Sequence, residues 1–369
     1  MKINPSALIT AAGLLLAGAA QAQVSIYITG ATAFRSQSYA IIRSIYDAGF
    51  AQNPATNVVG GVDKSANSNL VAWTGTITGL FPGQTVSIYA NYNGAVAGIQ
   101  NLTEGTSATF LTTNVGNYTT LVTNTASFAF SSIYQASTAY TSPTLTDLIF
   151  GATPVYWLKS INAPAALTNI TAQQVKELAA NGALPASYFT GNTNDATNTI
   201  YFITRDNSAG QRVIVFRDSG FTGSPLAYDP SGSAGSPTWT LDTTGITSTT
   251  TIDNDLNKYG PAISYLTGPD AITVTNGALL SYNGVLPFVG TTLSSTPGAN
   301  NYAPLINGQY SLWGYEHLLS LPGATGNTYK FLTNLSAQLI STLGTNYPYS
   351  IQTNLLNVTR NSDGGLVSP

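Results

Sequence analysis

Short apolar runs recur along this chain, and several are followed by a small-residue loop and then by apolar positions at helical spacing. Residues 24–28 (VSIYI) alternate and predict a strand, and residues 29–32 supply a loop. Residues 33–48 predict a helix whose apolar face is Phe34, Ile41, Ile42, Ile45 and Tyr46. Residues 69–81 and 85–94 predict two further strands, the second running into a glycine loop and a short helix. Residues 126–137 predict a strand with a polar turn, and 154–161 another strand. Residues 168–191 predict a helix that starts on Thr171 and stops at Gly182. In 198–220, Ile200, Phe202 and Ile203 supply a strand, 205–210 a polar loop, and Val213 and Phe216 a helix start. Residues 219–260 are polar and turn-rich and predict an inserted loop or small β-excursion. Strands are expected at 262–268 and 277–288, helices at 310–321 and 329–344, and a tail over the last six residues. Strands alternating with helices predict an α/β architecture, mainly parallel sheets flanked by helices, with a ligand at the carboxyl ends of strands.

Composition narrows the setting. Of 369 residues, 43% are hydrophobic and only 7% charged, against roughly 25% charged in ordinary soluble domains. Thr, Ser, Asn and Gly carry the surface instead, as in exported or cell-surface proteins. The net charge of −3 and the lack of any Lys/Arg run argue against nucleic acid. The chain has no cysteine, which rules out disulfides, thiolate nucleophiles and Cys-bound metals. Lys2, an apolar run over 7–20 and the closing Ala20-Gln21-Ala22 predict a secretory signal peptide at 1–22, with Gln23 the first mature residue. No later apolar stretch approaches the ~20 residues of a spanning helix, so no membrane insertion of the mature chain is expected. The expected location is the periplasm, with the medium or cell surface as alternatives.

Catalysis finds little support. His317 is the sole histidine and sits beside Glu316 on a predicted helix; without a second histidine, neither a metal site nor a Ser-His-Asp triad is indicated. Glu316, Asp147 and Glu177 show no pairing in sequence, and the four tryptophans (Trp73, Trp157, Trp239, Trp313) suit packing. The expectation is a non-enzyme with no cofactor. Arg205, in a loop that feeds a helix N-terminus, suits an anion, or else a salt bridge to Asp206 or Asp218. Thr32 suits either a ligand contact or an N-cap, and Arg35 a solvated helix face.

Six segments, in order, resemble the phosphate-binding periplasmic proteins of ABC transporters, with their type II periplasmic-binding fold. They are ITGATAF, NYNGAVAGI, FAFSSIYQAS, ITAQQVKELAANGALPASYFTG, RDNSAGQR, and AISYL with NGQYSLWGYEHLL. The resemblance implies two lobes with a ligand cleft between them: lobe one over 24–153 and 287–369, lobe two over 154–286 with the polar insertion at 219–260. It also implies phosphate or another small anion or polar solute as ligand, a monomer, and an ABC permease as partner. Carried over by position, Thr32 is the hydroxyl donor of the first loop, with the Ala33 backbone N–H behind it. Arg205 is the anion's arginine, and Gly210 the backbone donor at the helix start. Other positions depart: Ala95 and Ala209 replace serines, Ser132 replaces an aspartate, and Gln211 a threonine. Lost donors in an oxyanion site cost roughly 1.5–3 kcal/mol each. A structural or adhesive role on the same scaffold is the alternative, with a secreted hydrolase behind it.

Overall fold

The computed structural model describes residues 23–54, 58–59, 62–63, 68–343 and 347–369. The signal peptide expected at 1–22 lies outside them. The alternating run after Gln23 forms β1 (Gln23–Gly30), with Val24, Ile26 and Ile28 in the core. A 3-10 turn at Thr32–Phe34 leads into α1 (Arg35–Ile45), which buries Tyr39, Ile41 and Ile42. β2 (Leu70–Thr76) and β3 (Thr85–Asn91) follow, and Gly94 opens α2 (Ala95–Thr103). β4 (Phe128–Ser131) is wholly buried. β5 (Thr146–Lys159) is longer than the sequence pattern suggests, and its residues 150–158 are buried without alternation, as expected of a strand covered on both faces.

The second half starts with α3 (Ala172–Asn181). Its cap is as expected: Thr171 accepts from the Gln174 backbone N–H, Gln174 returns the bond, and Gly182 closes the helix in the left-handed region at φ 74°. β6 (Thr199–Phe202) then feeds α4 (Gly210–Ser219). The polar stretch 219–260 is a hairpin, β7 (Ala227–Ser233) and β8 (Ser236–Asp242), followed by α5 (Thr249–Lys258). The hairpin is pinned by Trp239, whose ring stacks on Tyr201 of β6 at 4.2 Å and 6°. β9 (Ala262–Thr267), β10 (Ala278–Tyr282), β11 (Trp313–Ser320) and α6 (Gly326–Thr342) complete the chain.

Residues 310–321 correct an expectation: they hold strand β11, not a helix. All eight β11 residues are buried. A strand buried on both faces has no period-two alternation, and the interspersed Glu316 and His317 imitate a helix's polar face. The same correction moves His317 from a helix to the middle of a sheet.

Among the described residues one sheet of twelve strands runs through the molecule in the order Ala183–Pro185, β6, β9, β5, β11, β4, β1, β3, β2, Ala51–Asn53, with β10 also paired to β5 and to the short strand Asn169–Ile170. Parallel pairing occurs at the strand–loop–helix units, namely β1 with β3 and β4, and β6 with β9. The edges and the linking strands pair antiparallel. Strand β5 ties the two halves together: Thr146–Pro154 pairs with β11, and Val155–Lys159 pairs with β9. The molecule therefore has two α/β lobes, one around β1 and one around β6 and β9. The loops after β1, β3, β4 and β6 meet between them.

Candidate functional site

Each loop is placed by a strand end and held by backbone bonds. After β1, Ala31 N–H donates to the Phe130 carbonyl (2.9 Å), tying the first loop to the end of β4. Gly94 N–H donates to the Gly30 carbonyl (2.8 Å), and Gly30 N–H to Asn93 Oδ1 (3.1 Å), which joins the first two loops. The loop after β6 reaches across from the other lobe, and the Val96 N–H at the start of α2 donates to the Ser208 carbonyl (3.0 Å). This N–H is one that a helix N-terminus offers to an anion; here a carbonyl of the opposite lobe accepts it.

Thr32, Ala33, Ser132, Gly210 and Gln211 line one small cavity between the lobes, together with Ala31, Gly94, Ala95 and Ala209. Its volume is about 10 Å³, room for about one water. Gly210 packs so closely that an added Cβ would collide with Ser132 Oγ and come within 2.9 Å of the Ala95 Cβ. Thr32 is buried and makes no side-chain capping bond, so the N-cap alternative is not realised.

Arg205 stands beside this cavity, 1% exposed, with its guanidinium engaged by the chain itself. Nη1 donates to Gln211 Oε1 (2.8 Å), Nε to the Ile246 carbonyl (3.1 Å) and Nη2 to the Thr247 carbonyl (3.0 Å). Asp206 Oδ1 lies 3.7 Å from Nη2. Burial pushes the Arg205 pKa down, opposed mainly by Asp206, yet a guanidinium stays charged at any physiological pH. Gln211 Nε2 donates onward to the buried Thr267 Oγ1 (3.0 Å). Gln211 therefore bridges the guanidinium of Arg205 and the hydroxyl of Thr267. A threonine there would be too short to span from Arg205 to Thr267.

Arg35 corrects a second expectation. It is buried, not solvated, and bridges the lobes. Nη2 pairs with Asp270 Oδ1 (3.1 Å) and donates to Thr249 Oγ1 (3.2 Å), while Nη1 donates to Asn69 Oδ1 (2.6 Å). Sequence could not pair positions 35 and 270, 235 residues apart. Carboxylate pairings were hidden in the same way. His317 Nδ1 lies 2.9 Å from Asp147 Oδ2 across the β5–β11 pair. Glu316 is fully buried against Ser350 (2.6 Å) and Gln37 (3.3 Å). No cluster of three or more potential metal-ligating side chains occurs among the described residues.

Gly94 tests the lobe contact directly. Its φ is 110°, and an added Cβ would sit 2.5 Å from the Ser208 carbonyl oxygen. Gly94→Ala is expected to cost about 2 kcal/mol or more through strain and displaced packing. Urea denaturation measures it; a change below about 0.5 kcal/mol would mean that the loops are not pressed together.

No family model matches the sequence, and no curated protein matches it. Solved structures do. A phosphate ABC transporter substrate-binding protein from Clostridium perfringens, solved with bound phosphate, superposes with TM-score 0.51 at 13% identity, covering 89% of this chain and 99% of that one. An ABC-type phosphate transport receptor from Vibrio cholerae gives 0.46 at 14% identity, with 86% and 97% covered. The Clostridium perfringens likeness shows the fold: this chain has the two-lobed architecture of phosphate-binding periplasmic proteins.

Proposed function

We propose that the chain is an exported solute-binding protein that takes a small polar solute between its lobes, with an ABC permease as partner, and that phosphate is not that solute. The fold supports the first part. The engagement of Arg205 by Gln211 and two backbone carbonyls carries the second. An oxyanion at this position would have to displace Gln211 from the guanidinium. It would also have to open a cavity of about 10 Å³, without hydroxyls at Ala95 and Ala209.

Thermal unfolding of residues 23–369 across amino acids, saccharides, polyamines and oxyanions tests the reading. A ligand at 100 times its Kd stabilises by about 2.7 kcal/mol, and at least one non-phosphate solute is expected to do so. A panel without any stabilising solute would favour the second reading, a structural or adhesive role on the same scaffold. The observation in favour of that reading is the buried Arg35–Asp270 pair, which holds the lobes together through the chain's own groups.

A further inference from the structure

Outside the small cavity the lobes frame a second one of about 520 Å³, within the roughly 300–1,000 Å³ range of small-molecule sites. The two cavities share only Thr32. Both lobes contribute: Asn69, Asn91 and Thr109 on one side, Asp206, Thr247 and Ser248 on the other. Neutral polar side chains dominate the walls, Arg205 and Asp206 are the charged ones, and Leu70 and Leu121 add apolar surface.

The bonds these residues already make define what a ligand would have to bring. Asn69 Oδ1 is taken by Arg35 Nη1 (2.6 Å), so the group it has to offer is its amide N–H₂. Asn91 Nδ2 donates to the Thr109 carbonyl (2.8 Å), so the group it has to offer is its carbonyl oxygen. Asp206 Oδ2 accepts from Ser208 Oγ. Asp206 Oδ1 is buried and has no hydrogen-bond partner among the described residues. That oxygen has no solvent-accessible surface, so it meets Arg205 and does not face the cavity. Asp206 and Arg205 both line the cavity and pair at 3.7 Å, so its walls carry no net charge and pull on neither a cation nor an anion. The matching ligand is neutral and carries groups that both donate and accept. A hydroxyl does both.

We infer that this cleft mouth binds a neutral, hydroxyl-rich solute, a saccharide or polyol, with Asn91 Oδ1 accepting from one of its hydroxyls and Asn69 Nδ2 donating to another. The inference rests on the solute-binding reading above and names its ligand class. Leu121, 48% exposed at the rim, supplies an apolar contact for a sugar's C–H face.

Isothermal calorimetry of residues 23–369 tests it with D-glucose, D-mannose, maltose, cellobiose and myo-inositol, and with leucine, glycine betaine and phosphate as non-polyol arms. At least one polyol is expected to bind. Asn91→Ala is expected to weaken it at least tenfold by removing that acceptor. Leu121→Ala, a rim change that leaves every polar contact in place, is expected to weaken it several-fold. Binding of leucine, betaine or phosphate with no polyol would overturn the inference while leaving a solute-binding protein. Polyol binding indifferent to both variants would overturn the site. No binding by any probe would count against both the inference and the solute-binding reading.

Discussion

Arg35→Ala is expected to destabilise the protein by about 3–5 kcal/mol, the cost of leaving a buried partner charge uncompensated. Asp270 is buried beside the guanidinium, and its remaining contacts do not replace a cation. Thr249 Oγ1 donates to Oδ1 (2.9 Å), and Oδ2 has no hydrogen-bond partner among the described residues. The pair joins α1 of one lobe to the short helix Gly268–Ala271 after β9 of the other, so its loss should also loosen the cleft. Urea unfolding of Arg35→Ala would give the energy, and small-angle scattering the shape. Replacing both charges, as Arg35→Met with Asp270→Leu, is expected to recover most of the loss, because an apolar pair carries no desolvation penalty. A single-mutant loss under about 1 kcal/mol would mean that the pair is effectively solvated.

Glu316→Gln is expected to do the opposite at neutral and alkaline pH. Burial pushes the Glu316 carboxyl up to about 7, against the lowering influence of its bonds to Ser350 and Gln37. Ser350 Oγ lies 2.6 Å from Glu316 Oε1 and 3.0 Å from Gln37 Oε1, and it has one proton for two acceptors. A protonated Glu316 resolves this. Its O–H donates to Ser350, Ser350 donates to Gln37, and Gln37 Nε2 donates back to Glu316 Oε2 (3.3 Å). The folded pKa lies above the ordinary value of 4.5. The folded state therefore holds the proton more tightly than the unfolded chain does. The associated stability is complete below about pH 4.5 and is lost as pH rises through about 7. The loss is about 3 kcal/mol. Glutamine copies the neutral acid's shape and donates in its place. Denaturation midpoints between pH 4 and 9 should fall for the parent and stay flatter for Glu316→Gln. Parallel curves would show that Glu316 titrates in the folded protein as it does in the unfolded chain.

The sequence makes the loops legible and leaves most of the contacts across the cleft hidden. The strand–loop–helix units, the Thr171 cap and the Gly182 stop are local patterns, each decided within a few residues, and the structure has them where the pattern puts them. Carrying Thr32, Ala33, Ser132, Gly210 and Gln211 over by position brings together residues that do line one cavity. β11 was illegible because burial on both faces erases alternation, and a buried Glu and His disguise it further. Arg35 was illegible for a different reason. A charge at a helix start is ordinarily solvated, and only the tertiary fold supplies Asp270, Thr249 and Asn69 around it. Gln211 shows the same limit: the departure from threonine was visible, but its hydrogen bond to Arg205 needed three dimensions.

Calorimetric titration of residues 23–369 with phosphate tests the central claim, that the chain's own groups fill the place of the anion. The parent protein is expected to give no binding heat. The triple variant Ala95→Ser, Ala209→Ser, Gln211→Thr, which frees Arg205 Nη1 and supplies three hydroxyls, is expected to bind phosphate. Micromolar or tighter binding by the parent, abolished in Arg205→Ala, would contradict the account and return Arg205 to the role of anion anchor.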